Sequence, residues 1–355
     1  MSLLHAVNHA SYESLMRYAR VLGYGDVHTK IDRKTGLTAI VAIHNLKRGP
    51  AIGGCRMIAY PTINYALEDA LRLGYMMSFK AAITNLPHGG AKSVILLPTV
   101  IKDREALFEK FGEFVEELGG RYIAAVDSGT SPVEMDIIAR KTNFVTCTTA
   151  SSGLSDPSPM TALGVRRGME AAVRFHLNRD SLAGVRVAIQ GAGHVGYYLA
   201  KDLVQLGAIV TIADTREEKI KSITDELPVT TCAPDAIFDA DVDVFAPCAM
   251  GAVLNHDTIH RLKATVVAGA ANNQLAHAHY GTLMHERGIL YAPDFLINSG
   301  GLIYVATLYE HKNKEKSVKQ IEHIFDAATD IFEQSARENI ATNIIAERIA
   351  KERLG

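Results

Sequence analysis

Two periods of apolar and polar residues alternate along this chain, and their order predicts its architecture. In "TINYALEDALRLGYMMSFKAAI" (62–83), Leu67, Ala70, Leu71, Gly74 and Met77 recur at i, i+3 and i+4, the single apolar stripe of a helix. Lys80 falls three residues beyond Met77 and so beside the stripe. Pro87, Gly89 and Gly90 then end helical periodicity, and Lys92 stands where a β-rich run begins in "NLPHGGAKSVI". "RYIAAV" (121–126) predicts another strand, with Asp127 at its end. Ser131, Pro132 and Glu134 fit the N-cap, first and third positions of the helix that follows, a capping box.

The second half repeats a simpler unit. Ser158 is placed as an N-cap with Pro159 at the first helical position, and "MTALGVRRGMEAAVRF" continues as a helix. Strands are predicted at 185–190, 208–214, 241–247, 264–270 and 288–293, with helical stretches such as "HVGYYLAKDLVQLG" between them. This is the α/β alternation of a Rossmann-type doubly wound parallel sheet. Val318, Ile321, Phe325, Ala328 and Ile331 form one stripe on a charged C-terminal helix.

At 355 residues the chain exceeds the usual single core. The Ser/Thr/Gly/Pro-rich stretch 148–164 marks the boundary. We therefore expect an N-terminal α/β domain at 1–148 that supplies the chemistry and a dinucleotide-binding domain at 149–319, with a cleft between them. Helices about 320–355 are expected to pack back on the first domain.

Composition narrows the partners. Apolar residues are 48%, charged residues 21% and net charge −2, which gives no electrostatic reason to expect nucleic acid or a membrane surface. No secretory leader and no apolar run of membrane length is seen, so a cytoplasmic location is expected. Cys55, Cys147, Cys232 and Cys248 lie far apart, and His277 and His279 lack a third ligand, so no metal is expected.

The first strand-to-helix turn of the second domain is "GAGHVG" (191–196). Gly191 suits the tight turn, Gly193 close approach to a pyrophosphate and Gly196 helix packing, while Ala192, His194 and Val195 complete a loop that opens a helix N-terminus. Asp214 ends the next strand, where a carboxylate accepts ribose hydroxyls and repels an added phosphate. NAD is thus favoured over NADP, although Arg216 stands two residues away. In the first domain, Lys80 and Lys92 are placed to converge. One ammonium group can bind a carboxylate while the other serves as general base, because neighbouring cations disfavour each other's charge.

With "GPAIGGCRM" (49–57), "GGAKSVI", "VDSGT", "PSPMTALGVRRGM", "GAGHVG", "APCAMGAVLN", "GAANNQL" and "YAPDFLINSGGLIYV" in this order, nearly the whole chain resembles the glutamate, leucine, phenylalanine and valine dehydrogenase superfamily, its leucine branch most. The resemblance implies NAD-dependent, reversible oxidative deamination of an L-amino acid to its 2-oxo acid and ammonium. It also implies that the first domain carries oligomerisation, as a homo-oligomer, either dimer or octamer. By motif, Lys80 matches the substrate-carboxylate ligand, Lys92 the catalytic lysine that activates water, and Asp127 the acidic partner of the amine. Asn273 resembles the asparagine near substrate and nicotinamide, with Asn272 as the alternative, and Ala246, Pro247 and Ala249 a loop beside the cofactor.

Substrate choice follows from one position. Where glutamate enzymes carry a lysine before the paired glycines, this chain has Ile52. A carboxylate side chain buried there would lack a partner, at a cost of several kcal/mol. Gly53, Met77, Ala125, Leu302 and Val305, pocket candidates by resemblance, suit a branched apolar side chain, so leucine, isoleucine and valine are expected. Phenylalanine- or valine-preferring enzymes of the same superfamily are the alternative, and a non-catalytic NAD-binding regulator the alternative of another class. Two positions depart from the leucine branch: His88 in "LPHGGAK", read as a loop histidine facing solvent, and Val126 in place of an acidic residue.

Overall fold

The computed structural model describes residues 12–149 and 156–355. The first eleven residues, read for a leader, and 150–155 of the boundary stretch lie outside the described residues. The chain divides into two compact units.

The first unit takes the described residues up to 149 together with Val305–Lys314 and Ala350–Gly355. Its helix α1 (Tyr12–Val21) precedes β1 (Asp26–Asp32), β2 (Leu37–Asn45) and β3 (Ala51–Ile58). Then come α2 (Ile63–Ile83), β4 (Gly89–Leu96), α3 (Arg104–Glu117), β5 (Tyr122–Val126) and α4 (Pro132–Ala139). The sheet is five-stranded in the order β1-β2-β4-β3-β5. β1, β2 and β4 pair antiparallel, and β3 runs parallel to β4 and β5.

Register sorts the two faces. Ile52 pairs with Gly90 and Ile123, Gly54 with Ala125, and Lys92 with Ala42, so alternation puts Ile52, Gly54, Arg56, Lys92 and Ala125 on one face. Helices α1 and α2 cover that face through Leu15, Tyr18, Leu67 and Leu71, packed on Ile40, Ala42 and Val94. Helix α3 covers the opposite face, where Arg104 reaches the Met57 sulfur. The predicted capping box at Ser131 and Glu134 forms, with the Ser131 amide donating to Glu134 Oε2 at 2.8 Å.

Lys92 was expected at the start of a strand, but it lies inside one, because β4 begins at the glycines themselves. A Cβ on Gly90 would fall 2.0 Å from the backbone nitrogen of Ser78 in α2. One on Gly89 would fall 1.7 Å from the carbonyl of Asn45. Gly90 therefore lets α2 lie directly on the sheet and Gly89 lets β4 pass close to the end of β2, backbone against backbone in both cases.

The second unit holds residues 156–304 and 315–349. It contains β6 (Arg186–Gln190), β7 (Ile209–Ala213), β8 (Thr230–Thr231), β9 (Val244–Pro247), β10 (Val266–Val267) and β11 (Leu290–Tyr291). They form one parallel sheet in the order β11-β10-β9-β6-β7-β8. The chain reverses its strand order between β6 and β9, the switch point at which ligands bind in such sheets. The strands are shorter than their apolar runs predict, because the flanking residues turn into loops and helices. The helix Ser158–Leu177 starts one residue early, with Pro157 at the N-cap position and Pro159 inside the first turn.

The C-terminal helices depart from expectation. Residues 315–349 belong to the second unit, and only the last six residues return to the first. The stripe at Ile324, Ala328, Ile331 and Phe332 is buried, Phe332 stacks near Phe175 at 5.7 Å, and Glu322 pairs with Arg167 at 2.8 Å. The stripe thus buries on Ser158–Leu177. In the first unit Arg353 donates to the carbonyls of Ile83 at 2.6 Å and Ala82 at 3.2 Å, a cation capping the C-terminus of α2.

Candidate active site

In the first unit three adjacent parallel strands bring a buried lysine, inside β4, and an acid, just past the end of β5, together. Lys92 is 5% exposed on β4, and its ammonium group donates to Asp127 Oδ2 just past the end of β5. Between them on β3 lies Gly54, where a Cβ would fall 2.6 Å from Asp127 Oδ2 and 3.0 Å from Lys92 Nζ. Any side chain there would displace the pair. Gly53, the residue expected in the pocket, is turned elsewhere: a Cβ on it would strike the Ala91 carbonyl at 1.8 Å. Gly54 is the glycine that opens onto the pair.

Asp127 is held on its other oxygen too. Oδ1 accepts from Arg56 Nε at 3.0 Å and from the Ser128 amide at 2.6 Å. Burial alone would raise its proton affinity, but the charges of Lys92 and Arg56 outweigh it and hold the carboxyl well below the usual carboxylate range. Arg56 continues to Asp69 Oδ2 at 2.8 Å, and Asp69 accepts from Tyr60 at 2.7 Å and Arg72 at 2.9 Å. Sequence reading missed Arg56, Asp69, Tyr60 and Arg72. Arg56 lay within a quoted motif, and its spacing two residues from Gly54 was the available signal.

The other expected residues of this unit take distinct places. Lys80 is half-buried in the last turn of α2, two residues beyond the Ser78 that packs on Gly90. Ile52 is fully buried and Ala125 nearly so, both on the Lys92 face. Met77 and Val126 are half-buried. Val305 is buried in this unit, its carbonyl accepting from Thr146 at 3.4 Å, whereas Leu302 belongs to the second unit. His88 is not a solvent-facing loop residue: it is 2% exposed, with Nδ1 3.0 Å from the Pro50 carbonyl and Nε2 3.0 Å from Glu310. The turn before β4 is folded under the segment Val305–Lys314, which encloses the ring.

In the second unit the glycine-rich loop fits a dinucleotide. Gly191 has φ +108, and a Cβ on it would meet Ala249 at 2.8 Å, so the β6 and β9 loops close on each other at the switch point. A Cβ on Gly196 would strike the Gly191 carbonyl at 2.0 Å. Gly193 faces open space, with nothing within 4 Å of a Cβ, and leads into the helix His194–Gln205. An open glycine at a helix N-terminus leaves the room and the backbone N–H groups that a pyrophosphate would need. Ala192 donates its amide to Asp214 Oδ2 at 2.8 Å, and Val195 lies in the first turn of the helix. Burial opposes ionisation of Asp214, but hydrogen bonds from Arg216 and Ala192 outweigh it and lower its pKa. Arg216 folds back onto Asp214 Oδ1 at 3.1 Å.

Ala246 and Pro247 end β9, and the Pro247 carbonyl accepts from the Ala271 amide at 2.8 Å. Asn273 adopts φ 52 and its carbonyl accepts from the Ala252 amide at 2.7 Å. Asn272 Oδ1 accepts from Asn298 at 3.1 Å. His277 and His279 stack at 5.5 Å, and no group of three metal-ligating side chains occurs among the described residues. No helix among them is long and apolar enough to cross a membrane.

Known proteins are similar to this chain in sequence and fold. Residues 24–144 match the family model of the Glu/Leu/Phe/Val dehydrogenase dimerisation domain, and residues 153–217 and 209–350 match that of Glutamate/Leucine/Phenylalanine/Valine dehydrogenase. The chain is 42% identical to a leucine dehydrogenase of Bacillus cereus over 96% of its length and 93% of that protein. It is 41% identical to a phenylalanine dehydrogenase of Thermoactinomyces intermedius, over 90% and 88%. The crystal structure of L-tryptophan dehydrogenase from Nostoc punctiforme superposes with a TM-score of 0.82 at 36% identity, covering 96% of this chain and 98% of that one. A mixed sheet in the first unit, a parallel sheet with a glycine-rich first turn in the second and these matches agree: the chain belongs to the glutamate/leucine/phenylalanine/valine dehydrogenase family and is an amino-acid dehydrogenase.

Proposed function

We propose that this enzyme deaminates branched-chain L-amino acids, leucine with valine and isoleucine, reversibly and with NAD. The observation that carries the reading is the pair of buried Lys92 and half-buried Asp127 beside Gly54, on a sheet face whose neighbouring side chains are Ile52 and Ala125. A substrate's charged end has partners there, whereas an acidic side chain would meet a fully buried isoleucine.

Residues of this chain divide the work as follows. Lys80 binds the substrate carboxylate. Asp127, kept ionised, orients the ammonium group, so proton exchange with water falls to Lys92 rather than to the acid. The substrate's ammonium group first gives up one proton to solvent, and loss of hydride from the α-carbon of the resulting amine gives an iminium, to which water adds as Lys92, acting as a free amine, takes its proton. The resulting carbinolamine collapses to the 2-oxo acid and ammonia, which leaves as ammonium with the proton that Lys92 returns. A bound nicotinamide nucleotide supplies the hydride acceptor. The loop 191–196 and Asp214 would hold it, with Ala246, Pro247, Ala249 and Asn273 beside it. The ionised Asp214, with Arg216 folded upon it, supports NAD over NADP. The match to a dimerisation domain supports a homo-oligomer.

The test is initial-rate formation of reduced cofactor from L-leucine, L-isoleucine, L-valine and L-phenylalanine, each with NAD and with NADP. Leucine or valine leading with NAD supports the proposal. Phenylalanine leading moves the enzyme to another branch of its family, and NADP leading removes the cofactor assignment.

A further inference from the structure

We infer that Arg56 is a positioning residue for the reaction: it clamps Asp127 through the carboxylate oxygen that Lys92 does not take, and Asp69 anchors it in turn. The inference deepens the dehydrogenase reading and rests on it. A carboxylate on a loop after a strand can rotate about its side-chain torsions. Here Lys92 takes Oδ2, while Arg56 Nε and the Ser128 amide take Oδ1, so both rotation and protonation are opposed.

Arg56 reaches Asp127 from β3 only because its far end is fixed. Its Nη1 donates to Asp69 Oδ2 at 2.8 Å, and Asp69 is itself held by Tyr60 and Arg72. The guanidinium is planar and bridges two carboxylates at once, which an ammonium group cannot do with the same geometry. Alternation puts Arg56 on the Lys92 face, where its charge faces the reacting end of the sheet. The remaining titratable groups around Asp127 do not compete for this role. Burial holds the Cys55 thiol up at about 12 and pushes the Tyr122 hydroxyl well above its ordinary value. Glu134, on α4, is bonded to Arg104 at 2.8 Å, and Lys80 stands on α2.

The test compares Arg56→Gln, Arg56→Lys and Asp69→Asn with wild type in kcat, KM, NADH binding and the pH profile of kcat/KM for deamination. Wild type comes first: no amino-acid-dependent NADH formation would sink the dehydrogenase reading itself. Given activity, Arg56→Gln removes a cation beside the coupled Lys92–Asp127 pair, which then keeps its proton to higher pH. The acid limb should rise by about one pH unit. Loss of orientation should lower kcat by about 10- to 100-fold with NADH binding unchanged. Arg56→Lys should return the limb toward wild type while kcat stays reduced. Asp69→Asn, which loosens the anchor of Arg56, should lower kcat and raise the limb by less than Arg56→Gln does. A merely structural role would lower kcat without moving the limb, so an unmoved limb in Arg56→Gln, or a limb that Arg56→Lys fails to restore, overturns the inference. Should Arg56→Gln not fold, wild-type kcat in both other variants would overturn it.

Discussion

On the proposed reading, the two units hold a charged ligand in opposite ways. The second uses backbone: a left-handed glycine, an open glycine and a helix N-terminus make a cradle from groups every residue carries. The first uses side chains, with Lys92, Asp127, Arg56 and Asp69 drawn from separate elements into one network of buried and half-buried charge. A backbone site tolerates substitution wherever space is left open, whereas a side-chain network fails when any partner shifts. The comparison predicts where each half is fragile.

The largest effect belongs to Lys92. Lys92→Ala should lower kcat for leucine deamination by about 1,000-fold or more while NADH binding, followed by fluorescence, is unchanged. Activity within tenfold of wild type would show that the first unit's chemistry lies elsewhere. Gly54→Ala should follow at about 100-fold, since the added methyl displaces both members of the pair. Gly193→Ala sharpens the contrast. The chain has room for that methyl, so thermal stability should hold while cofactor affinity falls. A lowered melting temperature with unchanged affinity would contradict the cradle.

Asp214→Asn should raise the NADP-to-NAD ratio of kcat/KM by about 5- to 10-fold, the size of one screened charge contact. The smallest effect is in acid stability. Asp127 has its pKa lowered in the folded state, so its contribution is complete above the unfolded carboxylate value near 4. Below that the unfolded chain binds the proton more readily, and the contribution is lost as pH falls toward the folded value. Denaturant unfolding of wild type and Asp127→Asn should therefore differ most above about pH 4 and converge in stronger acid.

The same contrast governs what the sequence revealed. The loop 191–196 was legible as a strand-to-helix turn because its glycine spacing is a local signal. The capping box at Ser131 was legible for the same reason, being local. Arg56, Asp69 and Tyr60 meet Asp127 only through sheet register and helix packing, which no local window carries. Gly53 and Gly54 differ by one residue and hence by one face, a distinction that register decides. His88 looked exposed because its neighbours are turn formers, and the segment Val305–Lys314 that buries it is distant in sequence. The C-terminal helices had the right stripe, but an amphipathic pattern states that a face is buried and not against what.

The central claim is that the first unit offers an amino acid two charged contacts at its α-end and, for its side chain, an apolar sheet face in which buried Ile52 stands where a carboxylate would need a cation. The most direct measurement is the ratio of kcat/KM for L-leucine to that for L-glutamate with NAD. The account predicts a ratio of at least about 100, since glutamate would bury a carboxylate without a partner. A ratio near one, or glutamate preferred, would contradict it.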